Sequence, residues 1–186
     1  MNQDRVQLRR SQALRVGFVL LLFAGAAVWI FAYLHIRRPA RFAVVEQGRL
    51  YRSSQPSTRQ IENLIDQFGI KTIVIARSDI SSRVPDEIDF AKSHGIRVIH
   101  LPIESRSQIP EHLVQEFLKC VDDPASGPIL VHCAAGRHRT GYLCARYRVD
   151  RQGWTLDKAI AELLSFGFDT NHEGVVLEQL KNYQRN

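Results

Sequence analysis

The 186-residue sequence predicts an α/β domain with a mainly parallel central sheet flanked by helices, preceded by one N-terminal transmembrane helix. Three observations predict it. Short apolar runs of strand length alternate with longer segments of helical period, and strands separated by helices run parallel in a sheet covered on both faces. A basic, glycine-containing loop directly follows one of these runs, at the place where open α/β sheets bind ligands. Residues 16–34 hold no charged side chain.

The chain divides at the sequence level into a basic tail (residues 1–15), a transmembrane anchor (16–34), a basic linker (35–41) and an α/β domain (42–186). Nineteen helical residues span about 28 Å at 1.5 Å each, close to the hydrocarbon thickness of a bilayer. Trp29 and Tyr33 suit the interfacial belt, and Arg15, Arg37 and Arg38 bracket the segment. A cleaved secretory signal has a shorter apolar core, and no small-x-small site follows Leu34, so an uncleaved single-pass membrane protein is expected. Four arginines precede the segment and three follow it closely, a difference that assigns the domain to neither side of the membrane.

In the domain, Ser57 and Gln60 form a capping box that opens a helix carrying Ile61, Leu64, Ile65 and Phe68, with Gly69 as terminator. Residues 71–76 read as a buried strand. Pro85 marks a first helical turn before Ile88, Phe90 and Ala91, and Gly95 ends it. Residues 97–101 are a second strand, and Pro110 starts a helix with Leu113, Phe117, Leu118 and Val121 on one face. Residues 122–128 turn into a strand at 129–132. Helices are then expected over 140–147, after Thr155 (with Leu156, Ile160, Leu163 and Leu164 as its apolar face), and over 174–183.

Charge excludes one class of function. The formal charge is +6, and residues 1–41 carry all of it: seven arginines against Asp4. Residues 42–186 hold 18 basic and 18 acidic side chains, so the domain has no net basic charge and no nucleic-acid partner is expected. The seven histidines show no metal-ligand spacing, and neither a metal nor a cofactor is expected.

The chemistry concentrates in His132-Cys133-Ala134-Ala135-Gly136-Arg137-His138-Arg139-Thr140-Gly141. A strand turning sharply into a helix there makes a cup of backbone N–H groups from Ala134 to Arg139, and such a cup binds a phosphate-sized dianion. Cys133 is the candidate nucleophile, because a thiolate at a helix N-terminus among cations is the reactive form of cysteine. Arg139 carries the planar fork that bonds two phosphoryl oxygens. Gly136 allows a tight turn close to the ligand. Thr140 is placed to donate to the sulfur, His132 to orient it, and Arg137 and His138 to line the mouth. For Cys120 and Cys144, on apolar helix faces, burial is the expected role.

His132, Cys133, Arg139 and Thr140 fit the His-Cys-five residues-Arg-Ser/Thr pattern, and the segment resembles the signature of the cysteine-dependent protein tyrosine and dual-specificity phosphatases. The run from Gly136 to Gly141 is similar to a plant, fungal and bacterial group with Gly-Lys-His-Arg-Thr-Gly. Tyr51-Arg52-Ser53-Ser54-Gln55-Pro56 resembles that group's Arg-Ser-x-x-Pro element. The resemblance covers residues 42–183 and implies a two-step phosphatase with a cysteinyl-phosphate intermediate. Its substrate is then a phosphorylated protein, or alternatively a phosphoinositide or inositol (pyro)phosphate. The loop without turnover would be a phosphate-binding module. Arg52 is expected to support the loop from beneath, paired with an acid. The resemblance also implies a general acid, usually an aspartate, on the loop after the preceding strand. Here that loop, residues 102–110, holds no aspartate. Glu104 is its candidate acid, and Asp79 on an earlier loop is the reserve.

Overall fold

The computed structural model describes residues 17–29, 38–78 and 83–183. It divides into two compact units, Met1–Arg37 and Arg38–Asn186. In the first, residues 17–29 form helix α1, with Phe18, Leu20, Leu21, Phe23 and Trp29 exposed. Both ends of the expected 16–34 span lie outside the described residues, as does the 1–15 tail. Among the described residues no helix is long and apolar enough to cross a membrane.

The second unit is built on a five-stranded sheet. Its strands are β1 (Ala43–Glu46), β2 (Leu50–Ser54), β3 (Thr72–Ala76), β4 (Arg97–Leu101) and β5 (Ile129–Cys133), in the order β1-β2-β5-β3-β4. β2 with β5, β5 with β3 and β3 with β4 pair in parallel; β1 pairs with β2 antiparallel. The sheet is therefore mixed, and its first two strands are absent from the sequence reading. Arg52, Ser53 and Ser54 are polar, so β2 shows no apolar run, yet all three pair in register with Val131, His132 and Cys133.

Helices α2 (Thr58–Phe68), α3 (Arg83–Ser93), α4 (Glu111–Asp122), α5 (Arg139–Asp150), α6 (Leu156–Ser165) and α7 (Gly174–Lys181) cover the sheet. The capping box is present: Ser57 Oγ accepts the Gln60 N–H at 3.3 Å and Gln60 Oε1 accepts the Ser57 N–H at 3.0 Å. Gly69 closes α2 at φ 64°, its N–H on the Ile65 carbonyl. Alternation along the strands makes two cores. Tyr51, Ile73, Ile75 and Leu130 pack with Ile61 and Leu64 of α2 and Val84 and Ala91 of α3. Leu50, Val74, Ile129, Val131 and Cys133 pack on the other face with residues of α4, α5, α6 and α7. α5 is buried nearly all round. That makes it the central helix, with its N-terminus at the end of the central strand β5.

Candidate active site

Cys133 is the last residue of β5 and His138 immediately precedes α5, so the loop between them joins a sheet end to a helix N-terminus. Three successive loop carbonyls are held on the outside. Ala134 O accepts the Gln55 N–H at 3.2 Å, Ala135 O accepts Arg41 Nη1 at 3.1 Å, and Gly136 O accepts Arg52 Nη2 at 2.9 Å. In a trans peptide the next N–H points opposite to the carbonyl. Fixing these carbonyls outward turns the N–H groups of Ala135, Gly136 and Arg137 inward. The Gly136 N–H accordingly donates to Cys133 Sγ at 3.2 Å. Of the amides expected from the sequence to form the cup, the Gly136 N–H is the one that meets the sulfur among the described residues.

Gly136 is required there. Its φ is +68°, and an added Cβ would lie 2.5 Å from both the Ser53 carbonyl oxygen and the Ser54 nitrogen. Gly141 lies in the helix behind the cup, where an added Cβ would require Leu163 Cδ1 of α6 to shift.

Arg139 spends one donor on the Ile103 carbonyl at 3.2 Å, while its buried Nε has no partner. The Thr140 hydroxyl is also buried without a hydrogen-bond partner, so the expected bond to the sulfur is not made here. Arg137 is half-buried beside Gly167, with its Nε unpartnered and no carboxylate in ion-pair distance among the described residues. His138 is half-buried and fixed at both ring nitrogens. Nε2 accepts the Asp169 N–H at 3.1 Å, and Nδ1 lies 3.3 Å from Glu173 Oε1. Burial pushes its pKa below the usual 6.5, with Glu173 opposing and Arg137 reinforcing the shift. The Asp169 N–H needs a lone pair on Nε2, which also favours the neutral ring.

His132 follows from strand alternation: it points away from Cys133, onto the face covered by α3. Its Nε2 donates to Glu87 Oε1 at 2.6 Å, both side chains being buried. Gln55 Nε2 donates to Glu87 Oε2 at 3.3 Å, and Gln55 Oε1 accepts Arg77 Nη1 at 2.6 Å. The network joins α3, the end of β2 and the strand that carries the nucleophile. Glu87 is missing from the sequence reading, but a signal for it exists: Val84, Glu87 and Ala91 share one buried helical stripe, and a carboxylate on an apolar stripe needs a partner.

Arg52 departs from expectation. It is 1% exposed, and among the described residues no carboxylate pairs with it. It holds the Gly136 carbonyl, its guanidinium lies 3.7 Å over the Phe166 ring, and Nε and Nη1 have no partner. Arg41, counted at the sequence level with the basic linker, binds both the Phe166 and the Ala135 carbonyls. The compact unit accordingly begins at Arg38, four residues before the expected start of the domain.

Glu104 is exposed, one residue beyond the Ile103 carbonyl that Arg139 holds. Asp79 lies outside the described residues. Arg106, also exposed, offers its backbone N–H to Glu173 Oε2 at 3.0 Å, a buried carboxylate that the sequence reading did not pick out. Burial raises the thiol pKa of Cys120 and pushes that of Cys144 up to about 11, in keeping with packing roles. Among the described residues no cluster of three or more His, Cys, Asp or Glu side chains could hold a metal ion.

Comparisons with known proteins bear on the family and the fold. The model of the Tyrosine phosphatase family matches residues 36–186. Inositol diphosphatase SIW14 of Saccharomyces cerevisiae is 33% identical over 126 residues, 65% of this chain and 43% of its own length. Dual specificity protein phosphatase TpbA of Pseudomonas aeruginosa is 29% identical over 119 residues, 64% of this chain and 51% of its own. This chain thus spans about half the length of these curated relatives. The crystal structure of the core catalytic domain of PP-IP phosphatase SIW14 in complex with citrate superposes with a TM-score of 0.70 at 29% identity, over 79% of this chain and 87% of that one.

Proposed function

The chain belongs to the tyrosine phosphatase family, in its cysteine-dependent atypical dual-specificity branch, and from that premise we propose that it hydrolyses phosphate monoesters through Cys133. One observation carries the reading: three outward-pinned carbonyls leave inward amides around a sulfur that already accepts one of them.

In the first step the Cys133 sulfur attacks phosphorus, the S–P bond forms, and the bond to the leaving oxygen breaks. The inward amides and Arg139 meet the charge that spreads over the equatorial oxygens. Arg139 still has donors free for this, because only one is committed to Ile103. Glu104 gives a proton to the leaving oxygen. In the second step Glu104 takes a proton from water, water oxygen attacks phosphorus, and the S–P bond breaks to return the thiolate and inorganic phosphate. The test is turnover of an aryl phosphate, phosphopeptides and inositol phosphates by the wild type and by Cys133→Ser. The reading expects release by the wild type and none by the variant. Bound but unhydrolysed phosphate would instead make the loop a binding module.

The primary substrate reading is a protein phosphomonoester, tyrosine or dual-specificity. A phosphoinositide or inositol (pyro)phosphate is the second, favoured by Arg137, a half-buried cation at the mouth with no carboxylate partner among the described residues, and by the name of the yeast relative. A higher kcat/KM on inositol polyphosphates than on phosphopeptides, lost in Arg137→Ala, would select it. We also propose residues 16–34 as a single-pass membrane anchor, supported by their uncharged sequence and the exposed apolar side chains of α1. Extraction of the full chain from membranes by alkaline carbonate would refute the anchor.

A further inference from the structure

We propose that Glu173 is a positioning residue that ties the loop carrying Glu104 to the loop carrying Cys133. The proposal deepens the phosphatase reading and rests on it. Glu173 lies just before α7, and its two carboxylate oxygens reach opposite sides of the site. Oε2 accepts the Arg106 backbone N–H at 3.0 Å, and Oε1 meets His138 Nδ1 at 3.3 Å. Arg106 is two residues beyond Glu104, and His138 is bonded to Arg139. One buried side chain therefore touches both halves of the machinery.

The contact is specific to a carboxylate. The Arg106 N–H can only donate. The neutral His138 ring accepts the Asp169 N–H on Nε2, so its one proton sits on Nδ1, 3.3 Å from Glu173 Oε1 and electrostatically attracted to it. Two donors converge on one side chain, and a carboxylate offers an acceptor to each. A glutamine offers one acceptor and turns its NH₂ group against the other donor.

The loop needs such a tie. Residues 104–108 are all exposed. At one end, the Ile103 carbonyl is held by Arg139 and by the Ser78 N–H. At the other, Ile109 exchanges two hydrogen bonds with Gln179. Between these ends the Arg106–Glu173 bond is the one hydrogen bond made by residues 104–108 among the described residues. Arg106 takes φ 61° to make it, a left-handed backbone that a side-chain-bearing residue adopts at a cost met by its surroundings. The arrangement sets Glu104 in a turn whose position is referred, through Glu173 and His138, to the phosphate cup itself.

The experiment compares the full chain as wild type, Glu173→Gln, Glu104→Gln and the double variant on an aryl phosphate and an alkyl phosphate. An alkyl leaving group needs the acid; an activated aryl group barely does. Proton transfer is worth roughly 10²–10⁴-fold, so displacing the acid loop in Glu173→Gln should lower alkyl kcat by about tenfold, with aryl kcat and both KM values within about twofold. The double variant should be no slower on the alkyl substrate than Glu104→Gln alone, because a misplaced acid that is already absent costs nothing further. Glu173→Asp keeps the charge but shortens the reach, and should show the same alkyl-selective loss. Equal loss on both substrates, or losses that multiply in the double variant, overturns the proposal. A Glu104→Gln enzyme as fast as wild type on the alkyl substrate also overturns it, since the tie would have no acid to position. A wild type inactive on both substrates sinks the phosphatase reading instead.

Discussion

Arg52 and Arg146 are both fully buried, and they are held in opposite ways. Arg146, on the central helix, is surrounded by counter-charge. It binds Glu111 through two nitrogens at 2.7 and 2.8 Å, Asp150 at 3.2 Å, and stacks 3.6 Å over Tyr183. Its hydrogen bonds hold the Glu111 carboxyl below the usual range. Arg52, beneath the cup, has one backbone carbonyl, one aromatic face and no carboxylate among the described residues. A buried ion without a partner is costly, so it persists where something else compensates it. Arg146 is neutralised by the fold. Arg52 is not, and it meets the cup through the carbonyl of Gly136. On the proposed function, Arg146 stabilises the protein and Arg52 adds positive charge for an anion in the cup.

The sharpest way to break this comparison is a paired substitution. Arg52→Met should lower kcat/KM on an aryl phosphate by about 100-fold, the scale of losing one preorganised donor, while thermal stability holds or rises. Arg146→Met should do the reverse. Breaking the buried Arg146–Asp150 pair, with the Tyr183 hydroxyl left as the aspartate's donor, costs about 3 kcal/mol in denaturant unfolding, with kcat unchanged where the protein is folded. If both variants lose activity and stability in the same proportion, the two arginines are equivalent and the distinction fails.

Glu87→Gln sharpens it with a third buried charge, one that faces His132 rather than the ligand. Losing a charged hydrogen bond while keeping the shape should cost about 1.5–3 kcal/mol of unfolding free energy. Arg41→Ala removes an exposed clasp on the Ala135 and Phe166 carbonyls. About 1 kcal/mol of hydrogen bonding, or roughly a fivefold fall in vanadate affinity, is expected by isothermal titration. A fall as large as that in Arg52→Met would mean that pinning carbonyls, not buried charge, is what Arg52 contributes. The smallest effect is a pH dependence. His138 has its pKa depressed by burial, so the unfolded chain binds its proton more readily. Its contribution to stability is present above pH 6.5 and is lost as pH falls from there through the folded pKa. The wild-type melting temperature should drop across that window more than that of His138→Asn.

These residues also mark how far the sequence could be read. Cys133, Gly136 and Arg139 were legible because chemistry and backbone geometry demand those types at fixed spacing. The helices were legible from caps, as Ser57 and Thr155 show: each accepts the backbone N–H three residues on. Strand β2 was hidden because its buried members Arg52 and Ser53 are polar, and their burial depends on the neighbouring strand β5. For the same reason no local pattern revealed that Arg52 lacks an acid. Glu173 and Arg41 reach the site from 40 positions after and 92 before Cys133. Nothing in their own neighbourhoods announces a partner that only the tertiary fold supplies. Glu87 is the intermediate case, detectable as a carboxylate on an apolar stripe but without any indication of which histidine it meets.

Chemical trapping of the intermediate bears most directly on the account. Acid quench of the wild type during turnover of an aryl phosphate, followed by peptide mass spectrometry, should find one phosphoryl group on the peptide containing Cys133, attached at sulfur, and none in Cys133→Ser. Sustained turnover by Cys133→Ser, or a phosphoryl group trapped on any other residue, would contradict it.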